Sequence, residues 1–363
     1  MRLVAAPSYP ETTTESGRFG RGPGPQVPLS NRRGTSASFD KPAGRRQVSF
    51  GLDRVSLSFP VARFDHTESS WSSIAVKYPG ERQVRNWGTS VTVGGASVFV
   101  GVSEIAALDQ VRGKVELNPS RVVDPEGWGL SDAGELLEVL GEVVPKVREY
   151  VEPSACASDW AVRRVDVARD FEGVSEPGNK VRALAPVPRP WARRNLVHSD
   201  PARHGAQTLM VGSGAGVVRL YDKHAETGGR APDGSLRWEA ECRKDWAAEY
   251  GGLRVVADIT EAGCRRLAEN RWQWSGMGLE VGAMSAVVRA VATSGLSRLD
   301  QNGLIAFLFR QSEGDWAFMS SRSMVKYRRL QRLLGLSVVP GELSGSELSR
   351  LDWETGREVR RAA

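Results

Sequence analysis

Alternating apolar and polar residues recur between about residue 48 and residue 260, and this pattern predicts β-strands. The strand-like runs are VSFGLDRVSLSF (48–59, ended by Pro60), GKVELNPS (113–120, ended by Asn118-Pro119), AVRRVDVARDF (161–171), VVRLYDK (217–223) and LRWEAECR (236–243). SVTVGGASVFVGV (90–102) and QTLMVGSGAGVVRLYDK (207–223) contain central glycines and predict two hairpins. The first two thirds of the chain are therefore expected to be rich in antiparallel sheet.

Apolar residues at helical spacing follow each group of strands. SDAGELLEVLGEVVPKVREYV (131–151) predicts a helix that is bent or broken at Pro145, and helices are expected again from Thr260 onwards. Strand, hairpin, strand and helix thus occur twice. The prediction is an α+β fold of two antiparallel-sheet α/β halves with an internal pseudo-repeat, plus C-terminal helices.

The expected domain organisation has five parts. They are a disordered basic tail (1–48), an N-terminal α+β half (49–155), a catalytic α+β half (156–259), a helical C-terminal region that is a candidate for DNA binding (260–340) and a tail (341–363). A Pro- and Arg-rich segment, 176–205, is expected to be a long loop. In the C-terminal region SRSMVKYRRLQRLLGL (321–336) is a basic amphipathic helix, which suits either DNA or a solvated face.

The net charge of +6 and the pI of about 9.4 favour an acidic partner. Only 8 of the 49 basic residues are lysine, and arginine binds phosphate in a bidentate manner. Nucleic acid is therefore the favoured partner, with a plain solvated surface as the alternative. Three cysteines without C-x-x-C spacing argue against a disulfide framework and a structural zinc site. With no signal peptide and no membrane-length apolar run, a soluble cytoplasmic protein without membrane contact is expected.

Polar residues on three of the predicted strands form a candidate catalytic site. Arg219, Tyr221 and Lys223 share one face of their strand, and Glu239 and Glu241 share a face with Arg237 and Arg243. AVRRVDVARDF places Asp166 and Asp170 on one face, about 13 Å apart. A tyrosine among cations and carboxylates suits metal-assisted phosphoryl transfer, and carboxylate ligands suit Mg²⁺ or Mn²⁺ rather than zinc.

Two cations beside Tyr221 are expected to favour its phenolate, because the pKa of free tyrosine, about 10, makes it a poor nucleophile. The alternative interpretation is an exposed sheet face with a ladder of weak ion pairs.

Two motifs that are absent from the sequence argue against other classes of enzyme. The HUH nicking enzymes require a His-x-His pair, and the four histidines of this sequence form no such pair. A G-x-x-x-x-G-K-[ST] loop is also absent from the sequence. The segment GSGAG (212–216) lies between two strands and predicts a hairpin turn.

Three of these segments, VRRVDVARDF, VVRLYDKHAE and LRWEAECR, occur in an order that resembles the replication initiation factors of rolling-circle plasmids and phages. This Rep_trans group also includes relaxases of conjugative elements. The resemblance covers roughly residues 50–250 and depends mainly on the R-x-Y-[DN]-K-x-x-E segment. The N-terminal extension and the Pro/Arg-rich loop depart from the family pattern.

The resemblance implies an origin-specific DNA nicking-closing enzyme that forms a 5′-phosphotyrosine intermediate and releases a 3′-OH primer. It implies Tyr221 as nucleophile, Arg219 and Lys223 as phosphate contacts, and Asp166 and Glu239 as metal ligands, with Glu241 as a further candidate ligand. Glu226 matches the glutamate of the family segment. Double- and single-stranded DNA at an origin, a homodimeric partner and a host helicase are also implied.

Two alternatives remain open at this point. A conjugative relaxase has the same chemistry and a different DNA target. A non-catalytic, sequence-specific DNA-binding regulator would use only the basic surface. A tyrosine recombinase is disfavoured, because it needs a basic catalytic set instead of carboxylates.

Overall fold

A computed structural model describes residues 49–64, 71–77, 84–105, 108, 110–185, 187, 195–200, 206–213, 216–313, 319–338 and 347–362. The expected disordered tail, residues 1–48, lies outside this part of the chain. The strands are β1 (Phe50–Phe64), β2 (Ser72–Lys77), β3 (Val84–Val93), β4 (Ala96–Ile105), β5 (Gln110–Leu117), β6 (Val151–Pro153), β7 (Ala161–Phe171), β8 (Asn195–Asp200), β9 (Ala206–Ser213), β10 (Gly216–Asp222), β11 (Leu236–Arg243), β12 (Glu280–Gly282), β13 (Leu336–Val338), β14 (Glu347–Asp352) and β15 (Arg357–Ala362). The helices are α1 (Pro119–Val123), α2 (Leu136–Arg148), α3 (Pro177–Leu184), α4 (Lys223–Glu226), α5 (Lys244–Trp246), α6 (Glu261–Ser275), α7 (Met284–Ala292), α8 (Arg298–Glu313) and α9 (Ser321–Leu334).

The large antiparallel sheet has the strand order β2-β3-β4-β5-β1-β7-β11-β10-β9-β8, and β6 pairs with β1. Each half therefore consists of one central strand followed by a four-strand meander whose last strand returns to pair with it. The two central strands, β1 and β7, pair with each other and join the halves into one sheet. The predicted α+β class is confirmed, and the strand order repeats as the sequence pattern predicts.

Both predicted hairpins are confirmed. β3 pairs with β4 across Gly94 and Gly95, whose φ angles of 57° and 91° are those of a two-residue hairpin turn that glycine forms without strain. β9 pairs with β10, with Ser213 opposite Gly216. β7 and β11 have the bounds that their alternating residues predict.

β1 differs from the prediction in two ways. It does not end at Pro60 but continues to Phe64, because the strand changes partner there and pairs with β6, where a missing backbone N–H is tolerated. Its pairing with β7 also shifts between Leu52, opposite Val167, and Arg54, opposite Asp166. Asp53 is the extra residue of this bulge. A bulge of this kind turns an additional side chain toward one face.

The apolar face of the sheet forms the main core. α2 covers it with buried residues at helical spacing, and this helix continues through Pro145 to Arg148, so the expected break is absent. α6 covers the central strands, where Trp272 packs against Phe171 and Trp238. Because this face is closed by helices, functional side chains must lie on the opposite, polar face.

The C-terminal region forms a second, smaller sheet with the strand order β13-β12-β14-β15, and α7, α8 and α9 pack around its own apolar cluster. Residues 347–362 are therefore strands rather than the expected tail. Trp353, between β14 and β15, lies 5.1 Å from Trp238 and 5.2 Å from Trp272, ring centroid to ring centroid, which joins this hairpin to the main core.

Two further details complete the fold. The segment 176–205, expected to be a loop, contains α3 and β8, with Pro177 at the first turn of α3, where the missing N–H costs nothing. Among the described residues, no helix is both long and apolar enough to cross a membrane.

Candidate active site

The register of the central strands brings the polar residues of the candidate site together. Asp166 on β7 lies opposite Glu241 on β11, and on the other side of β11 Glu239 lies opposite Arg219 of β10. Tyr221 lies opposite Arg237, two pairs further along the same ladder and therefore on the same face. The alternating pattern places Val218, Leu220, Trp238 and Cys242 in the apolar core on the opposite face. The faces predicted from the sequence are thus confirmed.

Three carboxylates form the centre of this polar face. One carboxylate oxygen from each of Asp53, Asp166 and Glu239 lies within 4.8 Å of the other two. They come from three adjacent strands, β1, β7 and β11, and Asp53 reaches the cluster from the bulge of β1. Asp166 is 1% exposed and Glu239 7%. We refer to these three residues as the acidic triad.

Two arginines bind the triad. Arg164 donates from Nε to Asp166 Oδ1 at 2.7 Å and from Nη2 to Asp166 Oδ2. Arg219 donates from Nη1 to Glu239 Oε1 at 2.7 Å. Both guanidinium groups also contact Glu241 Oε2, at 3.1 Å from Arg164 and 3.0 Å from Arg219. Glu241 therefore binds the two arginines and lies outside the triad, although the sequence analysis includes it among candidate ligands.

Arg237 binds the remaining carboxylates from a position that is 1% exposed. Its Nε and Nη2 donate to the two carboxylate oxygens of Asp170 at 2.6 and 2.7 Å. Nη1 donates to Asp53 Oδ1 at 3.1 Å, and Nη2 also donates to the carbonyl oxygen of Trp128 at 2.8 Å. Asp170 is thus fully engaged with Arg237, and Arg237 holds Asp53 at the edge of the triad.

Tyr221 is buried beside the triad. Its hydroxyl donates to Glu239 Oε2 at 3.2 Å, and Lys223 Nζ lies 5.6 Å from the centre of its ring. Lys223 is not a strand residue but the first residue of α4, for which Asp222 is the N-cap, and its Nζ donates to Glu226 Oε2 at 2.9 Å. The expected group of Arg219, Tyr221 and Lys223 is therefore close in space, with each cation paired to a carboxylate.

The expectation that the two cations favour the phenolate is wrong for the protein alone. Burial and the Glu239 carboxylate raise the pKa of Tyr221 well above its ordinary value, and of the neighbouring cations only Arg237 opposes this effect noticeably. Arg219 and Lys223 are each paired with a carboxylate, Glu239 and Glu226 respectively. In this state Tyr221 is a neutral phenol that donates a hydrogen bond.

Crowding of the carboxylates also changes their proton affinity. Burial, together with the charges of Glu239 and Asp53, raises the pKa of Asp166 to about 7, although Arg164 opposes the shift. Burial and Asp53 likewise raise the pKa of Glu239. Buried oxygen ligands whose mutual repulsion is only partly balanced by arginine are the donor set that a hard divalent cation prefers. The triad could therefore hold a divalent metal ion.

A cavity of about 690 Å³ opens onto the triad and Tyr221. Its wall includes six cationic residues: Arg54, Arg121, Arg164, Arg219, Lys223 and Arg237. Arg54 is exposed and lies directly opposite Asp166 in the β1–β7 ladder. A space of this size lined by cations around a carboxylate centre can admit a phosphodiester together with a cation.

Asp53 belongs to the site but is not among the residues predicted from the sequence. A regular alternation from Leu52 would point Asp53 outward and Arg54 into the core, but Leu52 and Val55 are both fully buried. The interval of three between these two apolar residues was the available signal for a bulge, because two consecutive polar residues must then share the outer face.

Comparisons with known proteins give only distant similarities. No family model and no curated protein matches the chain. Among solved structures, the rolling-circle replication initiator protein from Geobacillus stearothermophilus is similar over 58% of this chain and 79% of its own, with 19% identity and a TM-score of 0.32. DynU16, a protein of the dynemicin biosynthetic locus, is similar over 62% of this chain and 99% of its own, with 13% identity and a TM-score of 0.17.

Proposed function

We propose that this protein is a rolling-circle DNA replication initiator that nicks and rejoins one DNA strand through Tyr221 with the help of Mg²⁺ or Mn²⁺. The observation that supports this function best is the hydrogen bond from Tyr221 Oη to Glu239, a member of the acidic triad, inside a cavity walled by cations. Nucleophile, proton acceptor and candidate cation ligands are thus adjacent. An exposed ladder of surface ion pairs would not be buried to this degree.

In the proposed reaction, Tyr221 Oη attacks a backbone phosphorus and its proton passes to the Glu239 carboxylate, which already accepts its hydrogen bond. The bond from phosphorus to the 3′ oxygen breaks, and that oxygen leaves as a hydroxyl after taking up a proton. The DNA is then joined to Tyr221 through its 5′ phosphate. Attack by a 3′-OH on this phosphotyrosine reverses the steps and closes the strand.

The triad would hold the divalent cation, which supplies positive charge to the phosphate oxygens as negative charge develops on them. The chain's own residues contribute the orientation. Arg237 keeps Asp53 at the triad, and Glu241 keeps Arg164 and Arg219 in the cavity wall. Lys223 packs over the Tyr221 ring and fixes its position beside Glu239.

Duplex DNA in this proposal also contacts α9. Arg322, Val325, Arg329, Arg332 and Leu333 are exposed along one side of this helix, and we refer to them as the α9 stripe. Three guanidinium groups along about three turns suit phosphates of a double helix, and the exposed apolar residues between them suit the deoxyribose and base edges. A homodimer and a host helicase complete the proposal on the basis of the motif resemblance.

The test is a cleavage assay on supercoiled DNA that carries the chain's own gene neighbourhood, with Mg²⁺ or Mn²⁺, followed by protease treatment and a denaturing gel. The expected products are nicked circles whose 5′ end retains a peptide containing Tyr221. Tyr221→Phe should bind the DNA and leave it intact. Tyr150→Phe, which removes a hydroxyl at the end of α2 outside the cavity, is the matched control and should cleave normally.

Binding by the wild type without cleavage in either metal would contradict the proposal and favour a non-catalytic DNA-binding regulator. Cleavage that survives Tyr221→Phe would contradict the assignment of the nucleophile. A conjugative relaxase would give the same products from an origin of transfer, so the position of the nick distinguishes that alternative.

A further inference from the structure

The arginines of the site occupy the oxygen atoms that a cation at the triad would need. Arg164 contacts both carboxylate oxygens of Asp166, and Arg219 contacts Glu239 Oε1 while Tyr221 contacts Oε2. A divalent cation requires oxygen ligands at short range, so it competes with these guanidinium groups for the same lone pairs. Asp166 would therefore bind a cation more strongly if Arg164 moved away and left both of its oxygens available.

Glu241 gives the displaced arginine a second partner. Its Oε2 lies 3.1 Å from Arg164 Nη2 and 3.0 Å from Arg219 Nη2, and Glu241 is not a member of the triad. A guanidinium group that releases the triad thus remains bound at one edge by Glu241. Its other N–H groups are then left without an acceptor in a partly desolvated site, which is costly.

A phosphodiester can accept those hydrogen bonds. The Arg164 and Arg219 side chains are 23% and 25% exposed and line the same cavity as Tyr221. Arginine binds a phosphate through two parallel hydrogen bonds, the arrangement that Arg164 now makes with Asp166. A phosphodiester in this cavity would therefore replace the carboxylate as the partner of Arg164.

We propose that Arg164 is a phosphodiester-binding residue that exchanges Asp166 for the DNA backbone, so that the divalent cation and DNA bind cooperatively. The inference depends on the proposed function, since it assumes a cation at the triad and a phosphodiester in the cavity. Coupling between two ligands is reciprocal: the phosphodiester raises the affinity for the cation by the same factor as the cation raises the affinity for the phosphodiester. Each ligand then binds alone more weakly than it does when the other is present.

The experiment measures Mn²⁺ binding by electron paramagnetic resonance of the free ion, with and without a thymidine dinucleotide, which contains a single phosphodiester. Tyr221→Phe is the background for every variant, so that cleavage does not interfere. The expected coupling is about tenfold or more in Mn²⁺ affinity, in the range typical of linked binding sites. Arg164→Gln should bind Mn²⁺ about tenfold more tightly without the dinucleotide and should show little coupling.

Two further variants test whether the change in Mn²⁺ affinity comes from releasing Asp166 from Arg164 or only from removing a positive charge. Arg164→Lys keeps the charge but cannot engage both oxygens of Asp166, so it should shift toward the behaviour of Arg164→Gln. Arg163→Gln removes the same charge from an adjacent exposed residue that does not line the cavity, and it should match the background protein. Circular dichroism establishes that each variant is folded.

Equal Mn²⁺ affinity and equal coupling in the background protein, Arg164→Gln and Arg164→Lys would overturn the inference. If Asp166→Asn still abolishes Mn²⁺ binding in that case, the cation site of the proposed function stands without the exchange. Absence of Mn²⁺ binding in every variant would instead overturn the cation site and the exchange together.

Discussion

Asp166→Asn is expected to stabilise the cation-free protein above neutral pH, because it keeps the side chain's shape and removes a charge from the crowded triad. Burial raises the pKa of Asp166 to about 7 from an ordinary value of 3.8. This difference of about 3 pH units, at roughly 1.4 kcal/mol for each unit, makes the ionised form roughly 4 kcal/mol less favourable in the folded protein than in the unfolded chain.

The sign of the pH dependence follows from the raised pKa. The folded protein holds the Asp166 proton more tightly than the unfolded chain does, so Asp166 contributes most to stability below pH 3.8. That contribution is lost as the pH rises through about 7. Asparagine does not titrate, so the stability of Asp166→Asn relative to the wild type should increase by up to roughly 4 kcal/mol between pH 4 and pH 8.

The assay is urea unfolding in the presence of EDTA at several pH values, with the free energy of unfolding taken from the midpoint and slope. At pH 8 a net gain of about 2 kcal/mol is expected, because asparagine accepts only one of the two hydrogen bonds from Arg164. Asp233→Asn, at an exposed turn, is the control and should differ little from the wild type.

A difference between Asp166→Asn and the wild type that stays constant from pH 4 to pH 8 would refute this reasoning. A variant less stable than the wild type at pH 8 would also refute it. Either result would mean that Arg164 compensates the carboxylate fully and that the triad holds no unbalanced charge.

Cation binding, the α9 stripe and a buried ion pair each have a measurable expected effect. Mn²⁺ at a hundred times its dissociation constant should raise the unfolding free energy of the wild type by about 2.7 kcal/mol at pH 8. The increase should be smaller below pH 7, because Asp166 takes up a proton there. Mn²⁺ should not stabilise Asp166→Asn. Changing the three arginines of the α9 stripe to glutamine should reduce the salt dependence of duplex binding by roughly 2 to 3 in the slope of log K against log salt, whereas changing Lys146 and Arg148 of α2 should not. Glu358→Gln should lower the unfolding free energy by about 3 kcal/mol at pH 7, since it breaks a buried ion pair of 3.0 Å with Lys180. Lys180 lowers the pKa of Glu358 to about 2 against the effect of burial, so this difference should shrink as the pH falls below 4.5 toward 2.

The faces of the central strands could be predicted from the sequence because alternation depends only on local geometry. β7 and β11 begin and end where their alternating residues do, and Tyr221, Asp166 and Glu239 share one face as expected. The strand order of the sheet could be anticipated only as a repeating pattern, since the pairing of β1 with β7 brings together residues about 110 positions apart.

Features that depend on distant partners could not be predicted in this way. Asp53 belongs to the triad because of a bulge in β1, and Glu241 binds arginines because Arg164 and Arg219 reach it from two neighbouring strands. The raised pKa of Tyr221 depends on its burial and on the nearby Glu239 carboxylate, which spacing does not reveal. β14 and β15 are short and polar, and Trp353 between them packs against the main core.

The position of Asp53 divides the site between the two halves of the sheet. Tyr221, Asp166 and Glu239 are contributed by strands of the second half, whereas the third carboxylate comes from the first strand of the first half. Neither half expressed alone would contain a complete triad, and a chain truncated before Glu239 would have the tyrosine without its proton acceptor. A nicking activity that needs residues from both halves of the sheet would appear only in the intact fold. Incomplete or proteolysed chains would therefore leave DNA uncut. Cutting the chain between β6 and β7 would yield two inactive fragments whose reassembly could be followed by the return of cleavage.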